Sequence, residues 1–191
     1  MFRFFFIILL FIYANASMTK EQISTYIKSP LKLGEKDINI PVWEILDENN
    51  KLNSYIFETF DYAPIAGFSG GKMNLLVSID LEAKFLEIHI LHQYEPLFVH
   101  GIGIEPLIKF LMQYKGKSLK DSIKIGSSKN QTSSIYIDGV SKATASVKIA
   151  NDMILGSTVQ VTKKKLMGVA PKQIYHPKKD LFEKQTWNEL L

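Results

Sequence analysis

The chain has 191 residues, a formal net charge of +4 and no cysteine. Its hydrophobic content of 46% and charged content of 22% are typical of a globular domain, which excludes a disordered chain. The lack of cysteine excludes disulfides, thiolate metal sites, iron–sulfur ligation and thiol catalysis within this chain. Because both charge signs are spread along the sequence, the small positive excess predicts no nucleic-acid partner.

The first 16 residues predict a signal peptide. Arg3 precedes an apolar run from Phe4 to Ala14, and the small residues of Ala14-Asn15-Ala16 precede Ser17. A basic start, an apolar run of about 7–15 residues and an exit with small residues are the parts of such a peptide. The run is also shorter than the roughly 20 residues of a transmembrane helix. We therefore expect cleavage after Ala16 and export to the periplasm, with a retained membrane anchor as the alternative.

The next part of the chain predicts one helix and several strands. Ile23 and Ile27 lie four residues apart and Pro30 follows, which predicts a helix over 19–29. The strands predicted after it, in chain order, cover residues 38–46, 55–60, 75–79 and 85–92. Clusters of turn residues separate several of these strands, and the last two strands form a hairpin around residues 80–84.

The remaining part predicts shorter elements and one long helix. A short helix is expected over 106–114, and two short strands are expected over 120–125 and 134–137. A long helix is expected over about 141–161, and Val147, Ile154 and Val161 would pack it onto the sheet. Because the strands come in hairpins without β-α-β alternation, the sequence predicts an α+β domain that consists of an antiparallel sheet with packed helices.

The segment from Asp138 to Ser146 carries the clearest signal for function. Ser141 is a candidate N-cap, which would place Thr144 in the first turn of the long helix. Backbone N–H groups are unpaired there and the helix dipole is positive, which suits a phosphate group. Ala143 and Ala145 leave room beside the threonine hydroxyl. From these residues alone, either an anion docks here or the segment is a capped helix that binds nothing.

This segment resembles the flavinylation motif of FMN-binding domains, a pattern of the form D-x-x-S-G-A-T-x-S/T. The resemblance implies that an ApbE-type FMN transferase, which uses FAD and magnesium, attaches FMN to Thr144 through a phosphoester bond. The surrounding matches are Asp138, Ser141, Ala143 and Ser146. Lys142 stands where the pattern has glycine. Its ammonium group would either pair with the phosphodiester or obstruct the transferase or the flavin.

Other segments resemble, in order and spacing, the periplasmic domain of the NosR/NirI regulators of denitrification. They cover residues 55–59, 67–70, 75–80, 92–96 and 101–102, and residues 186–191 resemble the segment just after that domain. The resemblance implies that two stretches lie near the flavin ring, with Phe68 or Tyr94 as stacking residues. The residues of those stretches that we expect at the ring are Gly67, Phe68, Ser69, Gly70, His92, Glu95 and Pro96.

The resemblance also implies a role and partners. An FMN-binding domain over 17–165 would pass electrons from a membrane donor to a periplasmic reductase such as nitrous-oxide reductase. It would act as an electron-transfer domain and not as an enzyme with its own substrate. The basic tail over 166–191 would lead into a membrane region if the protein is longer, which would make it membrane-associated. The alternative, suggested by Lys142, is a periplasmic sensor or interaction domain that keeps the fold without flavin and has no redox role.

The spacing of His89, His92 and Glu95 also raises the question of a metal site. Residues three apart share one face of a helix, which would suit metal ligands. We expect a strand end here, where residues three apart point to opposite faces. The sequence therefore predicts no metal site, and His92 is expected near the flavin only because the resemblance implies it.

Overall fold

The computed structural model describes residues 17–126 and 134–166. The predicted signal peptide and the tail beyond residue 166 lie outside these ranges. None of the helices within them combines the length and the apolar character that a membrane crossing requires.

Five strands form one antiparallel sheet in which each strand lies beside its predecessor in the chain. They are β1 (Lys32–Lys36), β2 (Val42–Leu46), β3 (Leu52–Glu58), β4 (Asn74–Asp80) and β5 (Phe85–His92). An aspartate side chain closes each of two hairpins by the same pattern of hydrogen bonds. The Asp47 side chain accepts hydrogen bonds from the backbone N–H groups of Asn49 and Lys51, and Asp80 does so from Glu82 and Lys84. Aspartate at the start of a turn therefore fixes both reversals.

Parts of the N-terminal prediction were wrong. Helix α1 covers only Lys20–Ser24, capped by Thr19, in place of the expected 19–29. Strand β2 begins at Val42 because the Asp37 side chain accepts from the N–H groups of Asn39 and Ile40 and so holds a turn before Pro41. Strand β1 was not predicted, since its sequence is mostly polar and it lies at the sheet edge.

The two faces of the sheet are covered by different segments. On one face lie the long helix α3 (Thr144–Lys165) and the shorter helix α2 (Glu105–Met112), which pack on Tyr55, Phe57 and Val77. The opposite face carries a smaller cluster around Trp43 and Ile56, which the segment around α1 covers through Ile23. The expected anchor residues of the long helix are all buried, namely Val147, Ile154 and Val161. The α+β architecture with an antiparallel sheet is thus confirmed.

A separate pair of strands departs from the expected hairpin pattern. Strands β6 (Ser122–Ile125) and β7 (Ser134–Ile137) pair with each other in parallel, with Ser122 opposite Ser134. The sequence between them is polar and contains no signal for a tight turn. It therefore did not predict whether the two strands pair in parallel or antiparallel. Strand β7 leads directly into the segment that resembles the flavinylation motif.

A charged contact anchors the C-terminal end of α3. The Lys165 ammonium group pairs with Asp37, lies 3.9 Å from a carboxylate oxygen of Glu44 and sits over the Tyr55 ring. The hydrogen bond from Lys165, followed by that from the Asn39 N–H, holds the pKa of the Asp37 carboxyl below its ordinary value of 3.8. A carboxyl with a lowered pKa stabilises the fold above its ordinary pKa, and this contribution is lost as the pH falls through the lower folded-state value.

We therefore expect Lys165→Met to lower the thermal unfolding midpoint by a few degrees at neutral pH, and the difference from wild type to shrink below pH 3.8. Lys163→Met is the matched control, because Lys163 lies in the same helical turn and is exposed. Thermal melts across pH 2–7 measure both. A pH-independent difference, or an equal loss in the control, would contradict the anchor.

Candidate functional site

The acceptor segment, residues 138–146, leaves β7 and turns into α3. The Ala143 N–H donates to the Val140 carbonyl at 3.0 Å, and the Val147 N–H donates to the Ala143 carbonyl at 3.0 Å. Ala143 is buried, whereas Thr144 is exposed and is the first residue of the helix. The hydroxyl of Thr144 is therefore accessible where backbone N–H groups have no intrahelical partner.

The prediction that Ser141 caps this helix was wrong. Ala143 occupies the N-cap position and makes no side-chain capping bond. Lys142 has a φ of 67°, in the left-handed region, and Ser141 lies two residues before the N-cap position. Glycine adopts this conformation readily and lysine rarely does. A lysine at this position therefore did not predict the left-handed turn.

One cavity lies beside the start of α3. Its volume is about 450 Å³, within the roughly 300–1,000 Å³ that small-molecule sites occupy. The walls include Phe68, Glu95, Pro96, Lys142, Ala143 and Ser146. The structure thus brings residues from both predicted groups, the acceptor segment and the two upstream stretches, to one cavity. Thr144 itself does not line the cavity, whereas its chain neighbours Ala143 and Ala145 do.

A buried carboxylate joins the walls of this cavity. Glu95 is 1% exposed, and its Oε2 accepts a hydrogen bond from the Ser146 hydroxyl in the first turn of α3. A Cβ atom on Gly67 would overlap Oε1 of the same carboxylate, so any larger residue there would have to displace the Glu95 side chain. Ser69 donates to the Tyr94 carbonyl at 3.0 Å. The loop at 67–71 is therefore packed directly on the residues around Glu95.

A second, larger cavity lies on the other side of Lys142. Its volume is about 720 Å³, and α2 forms one wall. The predicted site residues Asp138 and Ser141 line this cavity and not the first one, while Lys142 lines both. The left-handed residue thus separates two concave surfaces on either side of the acceptor segment.

The structure does not bring His92 to either of these cavities. His92 lines a third one of about 190 Å³ with Glu58 and Asp61, and its ring meets that of Tyr94 edge-on at 4.3 Å. Gly70 also stays outside the first cavity. It has a φ of 77° and supplies the turn of its loop.

A bulge in β5 changes the relation between His89 and His92. His89 pairs with Leu76 and His92 with Asn74, which are two residues apart in β4, so both histidines share one face. The expectation of opposite faces was wrong for this reason. His89 contacts Glu87 at 3.1 Å, and its ring lies tilted against that of Tyr26, with 5.0 Å between the ring centroids. Across residues 17–126 and 134–166, no group of three His, Cys, Asp or Glu side chains could hold a metal ion.

Sequence reasoning missed one wall of the first cavity. A π-helical turn, Leu97–Gly101, follows Pro96 and contributes Leu97, His100 and Gly101 to the lining. Its five residues are too few to show helical periodicity, so the sequence pattern did not predict this turn. Phe68 is 73% exposed at the rim of the same cavity, whereas Tyr94, the other expected stacking residue, does not line it.

Comparison with known proteins gives two similarities. The chain is 28% identical over 110 residues to the regulatory protein NosR of Pseudomonas aeruginosa, which covers 58% of this chain and 15% of that protein. It is 22% identical over 200 residues to the regulatory protein NosR of Stutzerimonas stutzeri, which covers 98% of this chain and 27% of that protein. No protein-family model matches the chain. These similarities support a relationship to NosR, of which the chain spans about a quarter or less.

We expect Gly67→Ala to lower the free energy of unfolding by about 1–3 kcal/mol, because the new methyl group must displace the Glu95 carboxylate. In a Glu95→Ala background the same substitution should be less destabilising. Gly70→Ala is the control in the same loop: its Cβ would meet no atom within 4 Å, so only the left-handed conformation opposes it. Denaturant unfolding of the double-mutant cycle tests this, and equal losses in both backgrounds would contradict the packing.

We expect Lys142→Gly to raise the free energy of unfolding by about 1 kcal/mol relative to Lys142→Ala, because glycine removes the left-handed strain while alanine retains it. Both variants lose the same charge, so the comparison isolates the backbone. Chemical denaturation measures the difference. Equal stability of the two variants would show that this residue does not adopt the left-handed conformation in solution.

Proposed function

We propose that this chain is a periplasmic electron-transfer domain of the NosR type that carries FMN as a phosphoester on Thr144. The observation that carries the proposal is the exposure of Thr144 at the start of α3, where its chain neighbours Ala143 and Ala145 line a cavity of about 450 Å³. The resemblance to the flavinylation motif supplies the nature of the ligand. The similarity to two proteins named regulatory protein NosR supports the biological context.

The charges around Thr144 suit an attached phosphate. The first turn of α3 contributes no acidic residue of its own, and Lys142 supplies a cation two residues before the hydroxyl. The acidic group nearby is Glu95, whose side chain accepts a hydrogen bond from Ser146 in this turn. The unpaired N–H groups and the dipole of a 22-residue helix add a positive potential at the same end. The helix end and Lys142 therefore favour a phosphodiester at this position and act against the nearby Glu95 side chain.

The cavity suits a planar, largely apolar group with a polar edge. Phe68, Pro96 and Leu97 provide apolar walls, while Glu95 and Ser146 provide hydrogen-bonding groups. When bound, the isoalloxazine ring supplies the reversible electron transfer that the side chains of this chain do not. The protein's own part is to orient the ring, keep one side of it from water and hold the buried carboxylate at a fixed place.

The proposed partners follow from this role. An ApbE-type FMN transferase must reach the Thr144 hydroxyl, and its exposure permits that. A membrane donor would deliver electrons, and a periplasmic reductase such as nitrous-oxide reductase would receive them. The proposed location depends on the signal peptide predicted over residues 1–16.

One observation favours a second candidate, a periplasmic sensor or interaction domain without flavin. Lys142 adopts a conformation for which the motif has glycine, and its side chain lines the proposed flavin cavity. If this side chain prevents attachment, the domain keeps its fold and has no redox role. The visible absorption spectrum of protein exported from a host with the transferase separates the two candidates, because only the first predicts a flavin band.

We expect the wild-type chain, exported together with an FMN transferase, to gain the mass of one FMN minus water, and Thr144→Val to gain none. The valine keeps the shape of the side chain and removes the hydroxyl that forms the ester. Intact-mass spectrometry of the purified protein reports this directly.

The control is Thr25→Val, which removes an exposed threonine hydroxyl near α1, on the opposite side of the sheet. It should carry flavin like the wild type. A wild-type chain without added mass would refute covalent attachment, and flavin on Thr144→Val would refute this residue as the acceptor.

A further inference from the structure

The end of α2 holds the first residue of the acceptor segment through a side-chain amide. Gln113, the C-cap residue of α2, donates from Nε2 to the Asp138 carbonyl at 3.0 Å. Its Oε1 accepts from the Asp138 backbone N–H at 2.7 Å. One side chain therefore satisfies both backbone groups of Asp138, as a neighbouring strand would. The two residues are 25 positions apart, so this is a tertiary contact.

The residues between Asp138 and Ala143 have little other support. Asp138, Gly139, Ser141 and Lys142 are exposed. Val140 is partly buried, packs against the main hydrophobic core and accepts the hydrogen bond from Ala143 within the segment. Apart from this contact, the geometry of the stretch depends on its two ends. Ala143 is fixed at one end by burial, and Gln113 fixes Asp138 at the other.

The residue after Gln113 holds α3 itself. Tyr114 is fully buried, and its hydroxyl donates to Oδ1 of Asn151 in the second turn of the helix at 2.7 Å. Burial raises the pKa of Tyr114, so the hydroxyl stays protonated as a donor. Its ring also packs edge-on against Phe85 and Phe110. Two consecutive residues at the end of α2 therefore hold the two sides of the exposed loop. Gln113 binds Asp138 before the loop, and Tyr114 binds helix α3 after it.

We propose that Gln113 is a positioning residue for flavin attachment. By fixing Asp138, it keeps the exposed loop in the one conformation that presents the Thr144 hydroxyl to the transferase. This inference rests on the proposed function of Thr144. In the step that it assists, a bond forms between Thr144 Oγ and the FMN phosphorus of FAD. The P–O bond to AMP breaks, AMP leaves with the bridging oxygen, and the hydroxyl proton passes to solvent.

The test uses Gln113→Met, which matches the length of the side chain and removes both hydrogen bonds. The full chain is incubated with purified FMN transferase, FAD and magnesium, and the initial rate of FMN incorporation is followed by mass. We expect the rate to fall about 10- to 100-fold, because a misplaced reacting group loses that much. The decrease should lie in kcat more than in KM, since the surface that meets the transferase is unchanged.

A second measurement does not depend on flavin. Hydrogen exchange of the flavin-free protein should be faster at the Asp138 amide in Gln113→Met, because its acceptor is gone. Met112→Ala, an exposed neighbour in the same helix, should change neither readout. Gln113→Glu keeps an acceptor for the Asp138 N–H and loses the donor, so it should load flavin at a rate between wild type and Gln113→Met, with amide exchange close to wild type.

The outcomes separate the two proposals. If the wild type takes up no FMN, the proposed function fails, while the exchange of Asp138 still reports on the contact. If the wild type loads and Gln113→Met loads equally fast, the positioning role is refuted. The positioning role is also refuted by a third result, in which both Gln113 variants load more slowly and unfold at a lower temperature while exchange at Asp138 is unchanged. The slower loading would then reflect a loss of overall stability.

Discussion

The buried carboxylate of Glu95 is the constraint on which the candidate site depends. It connects three parts of the chain that do not pair as strands: the loop at 67–71, the turn after β5 and the first turn of α3. A carboxylate that is removed from water needs hydrogen-bond partners, and the Ser146 hydroxyl is one of them. Because glycine at position 67 lets the loop approach this carboxylate, the cavity wall and the start of α3 are held together by one side chain.

The acceptor segment combines a fixed frame with an exposed loop. Ala143, Ser146 and Val147 are buried and hold the start of the helix, whereas Thr144 and Ala145 face outward. Such an arrangement would suit the modification proposed for Thr144, because Thr144 is exposed while buried neighbours hold its backbone in place. Lys142 adds conformational strain at the same point, and strain of this kind often occurs at functional sites.

Sequence patterns predicted the sheet better than the site. Strand β5 has the limits expected for it, because a run of alternating side chains lies between two clear turn signals. Strand β1 was missed because a polar edge strand lacks such a pattern. Ser141 was misassigned as a cap because the left-handed turn at Lys142 has no signal in a lysine. Side-chain position also depends on tertiary contacts, so the bulge that moved His92 could not be read from spacing alone.

The two ends of α3 differ in how their backbone groups and dipole are stabilised, and this difference explains the role of the helix in the proposed function. With 22 residues it is about 33 Å long, at roughly 1.5 Å per residue. At its C-terminal end, Lys165 neutralises the helix dipole and ties it to Asp37 beyond β1. At its N-terminal end no side chain caps the backbone. Buried residues along the helix, among them Val147, Ile154 and Val161, hold the uncapped end at the cavity, where an attached phosphate would supply the missing cap.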